Sequence, residues 1–181
     1  MVIPMYNAID FIDNALNSVL LQKNVNVKAI VVDHGSADQS YKYVEDKYEN
    51  EKRVVVIGLK RIPGEIKSAS RPLNAGMRYV EKHCDNGDWV MRLDADDVLV
   101  NNNTIYDTLQ RAAKNVCLIA GSMYFINTDR KTAQEYCQDS RYDSVKCLRK
   151  NAAYAYPHHS TLISTNLLKR IIQDDLSLIH I

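Results

Sequence analysis

The sequence lacks the features of membrane-spanning, secreted and nucleic-acid-binding proteins. No apolar run among its 181 residues reaches the roughly 20 residues needed to cross a bilayer, and no charged and then apolar segment marks a secretory signal. The 23 Lys and Arg residues balance 22 Asp and Glu residues, so no overall field attracts nucleic acid or an anionic membrane. We therefore expect a cytoplasmic protein that binds no nucleic acid, with peripheral association at the cytoplasmic membrane face left open.

The sequence also lacks the paired cysteines of zinc and redox sites. Its four cysteines, Cys84, Cys117, Cys137 and Cys147, are far apart and form no CxxC pair. We expect them to be reduced thiols, because disulfides are rare in the cytosol.

What the sequence does contain is a regular alternation of strand-like and helix-like segments. Continuous β-branched runs such as 29–32 and 54–57 are typical of strands buried on both faces, and apolar residues at helical spacing separate them. Strands are predicted at residues 2–3, 29–32, 54–57, 89–93 and 116–120, and helices at 11–20, 41–48, 73–82 and 105–112. This order predicts one α/β domain with a mostly parallel sheet and helices on both faces.

Three carboxylates crowd the end of the fourth predicted strand, at Asp94, Asp96 and Asp97. Like charges this close repel unless a positive group lies among them, and Mg²⁺ or Mn²⁺ prefers such oxygen ligands. A solvated acidic turn is the alternative. A calcium site of the EF-hand kind is disfavoured, because the segment lacks the repeated acids, the glycine and the distal glutamate of that loop.

Other polar residues follow predicted strands, at the edge where parallel sheets bind ligands. Pro4 ends the first strand and Tyr6 follows it, while Asp33 occupies the last position of the second strand. Ser36 and Asp38 are predicted to cap the next helix, since both residue types favour that position.

A basic pair precedes the third predicted helix. Lys67 and Arg71 lie just before residue 73, and cations beside a helix N-terminus suit a bound phosphate. A solvated loop explains the pair equally well.

An ordered set of motifs runs through the chain at residues 3–7, 18–22, 31–38, 73–76 and 93–97. This set resembles glycosyltransferase family 2, whose members have the GT-A fold and transfer sugars from nucleotide donors with inversion. The resemblance covers nearly the whole chain. It implies a GT-A, Rossmann-like domain over residues 1–181, with a nucleotide-sugar-binding portion at 1–126 and an acceptor-side or lid portion at 127–181.

The resemblance assigns donor binding to residues at the strand ends. It implies that Pro4 and Tyr6 line the base and ribose pocket, and that Asp33 belongs to an acidic pair that recognises the base, commonly uracil. His34 stands at the second position of that pair, and a neutral imidazole accepts a hydrogen bond less strongly than a carboxylate does. The base is therefore left open between uracil and another.

The resemblance also implies a metal centre. Asp94 and Asp96 match the DxD motif, which binds the ribose and the Mn²⁺ or Mg²⁺ on the diphosphate, and Asp97 continues that cluster. His158 lies in a segment similar to one in which the family places a histidine before a Ser/Thr strand, and it is a further candidate ligand. Such a metal neutralises the charge that develops on a diphosphate leaving group.

The general base is the part of the family pattern that this sequence does not match. The family carries a Glu-Asp pair at about the place where this chain has Asp174, Asp175 and His180, which are the candidates here. We therefore expect an incomplete acceptor-side portion. The expected function is a metal-dependent hexosyltransferase that uses a nucleotide sugar such as a UDP-sugar and a glycan or lipid-linked acceptor in polysaccharide biosynthesis.

Two other functions are compatible with parts of this pattern. A catalytically silent nucleotide-sugar-binding module would keep the donor site and lack the base. A nucleotidyltransferase would need a glycine-rich, basic phosphate loop near the N-terminus, and residues 4–8 do not form one.

Overall fold

The computed structural model describes residues 1–62, 64 and 68–110 and, further along, 118–120, 123–127, 132–136 and 161–173. The strands are β1 (Val2–Met5), β2 (Ala29–Asp33), β3 (Val54–Gly58), β4 (Trp89–Met91), β5 (Leu118–Ala120), β6 (Met123–Asn127), β7 (Thr132–Tyr136) and β8 (Thr161–Ser164). The helices are α1 (Ile12–Leu20), α2 (Ser40–Lys47), α3 (Ser70–His83), α4 (Thr104–Gln110) and α5 (Thr165–Gln173). Every strand and helix predicted from the periodicity is present, β8 lies at the Ser/Thr strand expected after His158, and β6, β7 and α5 are additional.

The first four strands form the part of the sheet that positions the site. β1 pairs with β2 and β2 with β3, all in parallel. On the other side of β1, a parallel bridge joins Val2 to Arg92, and the Leu93 N–H donates to the Val2 carbonyl at 3.0 Å. The spatial order is therefore β3-β2-β1-β4, with the direction of winding reversing between β1 and β4. The predicted α/β fold is confirmed, and the carboxyl ends of β1, β2 and β4 meet at one edge.

The remaining pairings are antiparallel, which the sequence did not predict. β8 lies between β4 and β5, with Trp89 opposite Ser164 and Leu118 opposite Ile163. β6 and β7 form a separate antiparallel pair. The returning strand β8 comes from far along the chain, so its partner could not be read from neighbouring residues.

The core has two layers because alternate residues of β1 and β2 face opposite sides. Ile3 and Val31 pack with α1, whose buried residues are Ile12, Ala15, Leu16 and Val19. Val2, Ile30 and Val32 pack with α3 and with Leu168 of α5. Helices therefore cover both faces, as predicted. The expectation that β3 is buried on both faces is wrong: its residues are half-buried, because among the described strands β3 pairs only with β2.

A hydrogen-bonded cluster joins α1 to α2. The carboxylate of Asp13 accepts from Lys47 Nζ at 2.5 Å and from the Tyr48 hydroxyl at 2.7 Å. Burial alone would raise the pKa of Asp13, but the hydrogen bonds from Lys47 and Tyr48 outweigh it and hold this pKa below its ordinary value.

We expect Asp13→Asn to destabilise the protein at neutral pH and to have a diminishing effect as the pH falls. A carboxyl whose folded pKa is depressed contributes stability above its unfolded pKa and loses it as the pH falls through the folded pKa. Because the Lys47–Asp13 pair is partly exposed, the difference should be about 0.5–1 kcal/mol at pH 7. Urea unfolding of both proteins between pH 7 and pH 3 measures it, with Asp46→Asn, in a more exposed pair with Lys42, as control. A difference that does not change with pH would contradict the assignment.

Candidate functional site

A cleft of about 230 Å³ opens at the carboxyl ends of β1 and β2. Its walls come from the ends of these two strands, the segment after β3 and the start of α3. The lining residues are Pro4, Met5, Tyr6, His34, Arg61, Ser68, Ala69 and Pro72. The structure thus brings together Pro4, Tyr6 and His34, three of the site residues predicted from the sequence.

The loops after β1 and β2 are tied together by side chains. The Asn7 N–H donates to Ser36 Oγ at 2.8 Å, and the Ala37 N–H donates to Asn7 Oδ1 at 2.8 Å. Asp38 Oδ2 accepts from the Ile9 N–H at 3.0 Å. The prediction of caps for α2, which begins at Ser40, holds for Asp38 and is wrong for Ser36. Asp38 Oδ1 accepts from the Ser40 N–H at 3.0 Å, at the start of the helix. Ser36 Oγ and the other oxygen of Asp38 fix the two loops that form the cleft.

Asp33 also has a local role in this loop. It is 3% exposed, and its carboxylate accepts from the backbone N–H groups of Gly35 at 2.9 Å and Ser36 at 3.0 Å, and from the Ser36 hydroxyl. Gly35 has a φ of 71°, in the left-handed region that favours glycine. Asp33 therefore shapes the turn that presents His34 to the cleft.

Arg61 is a cleft residue that the sequence analysis missed. Its guanidinium lies over the Tyr6 ring, 5.4 Å from the centroid, and Nη1 donates to the Tyr6 hydroxyl at 3.2 Å. The side chain passes close to Gly35, where an added Cβ would lie 2.6 Å from Arg61 Cγ. The sequence feature that could have identified Arg61 is its position three residues after the end of β3, at the same edge of the sheet as Tyr6.

The three predicted acids form a turn directly after β4. The Asp97 N–H donates to the Asp94 carbonyl at 3.1 Å, and Asp96 between them is exposed. Arg92 forms two hydrogen bonds with Asp94, from Nε to Oδ1 at 2.7 Å and from Nη2 to Oδ2 at 3.0 Å. The positive group that the crowded carboxylates require is therefore supplied, at least for Asp94, by the protein itself.

Polar side chains in α1 and just after it hold the segment that follows this turn. Ser18 Oγ accepts from the Leu99 N–H at 3.1 Å. Gln22, only 8% exposed, donates to the Asn101 carbonyl at 2.6 Å and accepts from the Ile105 N–H at 3.0 Å. The motif at 18–22 thus has a structural function, since it anchors the chain on one side of the acidic turn.

The carboxylates of the acidic turn suit a cation that protein and substrate bind together better than a cation that protein ligands enclose alone. Within the described residues, no three His, Cys, Asp or Glu side chains converge so as to hold a metal. Asp96 and Asp97 offer only oxygen atoms, and Mg²⁺ is commonly held by one or two carboxylates together with substrate phosphates. The residues present fit that second arrangement.

The remaining predicted residues are placed as follows. Arg71 lies in the first turn of α3, and its Nη1 donates to the Lys60 carbonyl at 2.9 Å. Lys67, His158, Asp174, Asp175 and His180 lie outside the described residues.

Cys84 is a free thiol whose pKa is raised by burial. Across the described part of the chain, none of the helices combines the length and apolar character needed to cross a membrane.

Comparison with known proteins relates the chain to sugar transferases. An uncharacterized glycosyltransferase of Haemophilus influenzae is 33% identical over 93 residues, which are 51% of this chain and 26% of that protein. Glycosyltransferase GlyG of Streptococcus pneumoniae is 25% identical over 146 residues, covering 75% of this chain and 44% of that protein. The matched segments therefore cover less than half the length of either relative.

The fold is shared with a solved mannosyltransferase of Pyrobaculum calidifontis, determined with GDP-mannose and Mn²⁺. Its TM-score is 0.59 at 18% identity, and the match covers 94% of this chain and 45% of that one. This likeness shows the GT-A fold that the motifs implied. The family model of glycosyl transferase family 2 matches residues 1–171, and the chain therefore belongs to that family.

Proposed function

We propose that this protein binds a nucleoside-diphosphate sugar and transfers the sugar, with inversion, to a hydroxyl group of a glycan or lipid-linked acceptor. One observation carries the proposal: the cleft at the ends of β1 and β2 and the acidic turn after β4 lie at the same edge of the sheet. Between β1 and β4 the winding of the sheet reverses. Ligands of open α/β sheets bind at such a reversal, beyond the carboxyl ends of the strands.

The cleft suits the base of the donor. Its volume of about 230 Å³ lies below the roughly 300–1,000 Å³ of sites that enclose a whole small molecule, so it would take one part of a nucleotide. Tyr6 offers an aromatic ring, and Arg61 and His34 offer polar groups beside it. We propose uracil as the base, because Arg61 can donate to its carbonyl oxygens and a neutral His34 can accept from its imide N–H, less strongly than the carboxylate of the family pattern would.

The acidic turn suits the diphosphate with its cation. Asp96 and Asp97 would hold Mn²⁺ or Mg²⁺, and Asp94 would bind the ribose. Arg71, in the first turn of α3, and Lys67 would bind the phosphates. When bound, the cation stabilises the negative charge of the departing diphosphate. The acceptor hydroxyl attacks the anomeric carbon from the face opposite the leaving group, which inverts the configuration.

The residues on the acceptor side of the site are proposed from the sequence alone. A general base must take the proton of the attacking hydroxyl, and Asp174, Asp175 and His180 are the candidates. His158 remains a candidate third protein ligand of the metal. A donor-binding portion at 1–126, an acceptor portion at 127–181, and a cytoplasmic location with peripheral membrane association are likewise proposed.

Nucleotide titration tests the proposal. By calorimetry we expect UDP to bind in the presence of Mn²⁺ and to bind at least about tenfold more weakly in EDTA, because the cation offsets the repulsion between diphosphate and carboxylates. UMP should respond little to EDTA, and ADP should bind more weakly than UDP. Failure of every nucleoside diphosphate to bind would overturn the proposed function, and a preference for UTP or CTP over UDP would favour a nucleotidyltransferase.

A further inference from the structure

We propose that Arg92 is a positioning residue that reserves Asp94 for the hydroxyl groups of the donor and withholds it from the metal ion. The inference rests on the proposed function and adds to it a residue that no sequence motif singled out. It divides the three carboxylates of the acidic turn into two sets with different tasks.

The contact between Arg92 and Asp94 is a two-point fork. Each carboxylate oxygen accepts from a different guanidinium nitrogen, at 2.7 Å and 3.0 Å. The side chains are only 17% and 24% exposed, so solvent screens this pair less than it screens the pairs Lys42–Asp46, Lys47–Asp13 and Arg53–Glu51. Bidentate Arg–carboxylate pairs fix geometry as well as adding attraction.

The backbone makes this fork a built feature of the strand end. Residues two apart on an extended chain point to the same side, so Arg92 and Asp94 face each other. The strand end is anchored to β1: Arg92 bridges to Val2, and the Leu93 N–H donates to the Val2 carbonyl. Leu93 itself is buried. The carboxylate of Asp94 is consequently held in one orientation by a rigid element.

Electrostatic repulsion from Arg92 then determines which ligands Asp94 can bind. A divalent cation on either oxygen of Asp94 would lie within a few ångströms of the guanidinium, and like charges at that distance repel strongly in a partly buried site. A sugar or ribose hydroxyl carries no net charge and can donate to a carboxylate oxygen without that repulsion. Asp96 and Asp97 are therefore the carboxylates left to the cation.

The chain contains a matched control for this contact. Arg53 forms the same kind of fork with Glu51, also two residues away, from Nε to Oε1 at 3.0 Å and from Nη2 to Oε2 at 2.7 Å. That pair lies just before β3, at the opposite edge of the sheet from the acidic turn. Arg53→Met removes the same charge and the same fork at a distance from the site.

The test compares two affinities in Arg92→Met. Mn²⁺ binding without nucleotide is measured by the loss of the free-ion signal in electron paramagnetic resonance, and UDP binding at saturating Mn²⁺ by calorimetry. We expect Mn²⁺ affinity to rise about three- to tenfold, because a positive charge is removed and Asp94 becomes available. UDP affinity should fall by about the same factor, because Asp94 loses its orientation. Arg92→Lys should leave Mn²⁺ affinity near that of the wild type and restore UDP binding in part.

Opposite changes in the two affinities distinguish positioning from a general structural role. Parallel losses of Mn²⁺ and UDP binding in Arg92→Met, or no change in either, would overturn the inference, as would equal effects of Arg53→Met. If Arg92→Met does not fold, Arg92→Gln removes the charge and retains a donor, and the same rise in Mn²⁺ affinity is required. Wild-type protein that binds neither Mn²⁺ nor UDP would overturn the proposed function itself.

Discussion

Gly76→Ala is expected to destabilise the protein markedly, although alanine is the better helix former. Gly76 lies within α3, where the helix crosses β1 and β2. A Cβ at this position would lie 2.3 Å from Val2 Cγ1 and 3.2 Å from Val32 Cγ2. Both valines are fully buried and β-branched, so they have little freedom to turn away. The helix must then move away from the sheet.

The expected size follows from two opposing effects. Alanine gains up to about 1 kcal/mol over glycine inside a helix, whereas overpacking a well-packed core costs typically about 1–3 kcal/mol and occasionally more. We expect overpacking to prevail, because a contact of 2.3 Å is far inside the roughly 3.5–4.0 Å optimum for carbon atoms. Thermal unfolding should show a Tm lower by about 2–8 °C, from a net loss of about 1–2 kcal/mol at about 2–4 °C per kcal/mol for a chain of this size.

Two variants control for the identity of the substitution. Gly87 lies in a turn, and a Cβ there would meet no atom within 4 Å, so Gly87→Ala should change the Tm little. The double variant Val2→Ala/Gly76→Ala removes the methyl group that clashes, and it should lose less stability than the sum of the single changes. A Gly76→Ala protein as stable as the wild type would mean that α3 does not pack as closely on β1 as described.

The elements of this fold were largely predictable because their periodicity is strong. The continuous run in β2 is buried at every position, and α1 shows its apolar face at helical spacing. The burial of β3 was overestimated, since β-branched residues indicate a strand without showing whether it has neighbours on both sides. The antiparallel return of β8 between β4 and β5 depends on contacts between distant parts of the chain, which local patterns do not contain.

The candidate site was predictable where backbone position decides it. Tyr6 and His34 meet because parallel strands place their carboxyl ends together. Arg61 and Arg92 were missed because arginines are common on surfaces, and only the folded structure shows that one covers Tyr6 and the other holds Asp94. Ser36 was misassigned as a cap, and the second contact of Asp38 was missed, because the same oxygens can accept from any nearby N–H group. Tertiary structure directs them to the loop after β1.

Asp96→Asn is expected to lower the rate of sugar transfer by about 10²–10³-fold if the acidic turn holds the cation of the donor. The substitution keeps the shape of the side chain and one oxygen but removes the charge that a hard divalent cation prefers. A loss of this size corresponds to about 3–4 kcal/mol of transition-state stabilisation, which is within the several kcal/mol that a metal ion contributes to a departing phosphate. Because Asp96 is exposed, the Tm should change little.

The measurement is release of UDP from UDP-sugars with Mn²⁺, alongside calorimetric UDP binding. Asp46→Asn serves as control, because Asp46 is an exposed carboxylate on α2. Three results lead to different conclusions. Turnover that is retained in Asp96→Asn contradicts the assignment of Asp96 to the cation. Turnover that is lost only there supports the transferase with its metal at the acidic turn. Wild-type protein that binds UDP with Mn²⁺ yet releases none from any donor matches the silent binding module, because the donor site would then be present without an effective general base.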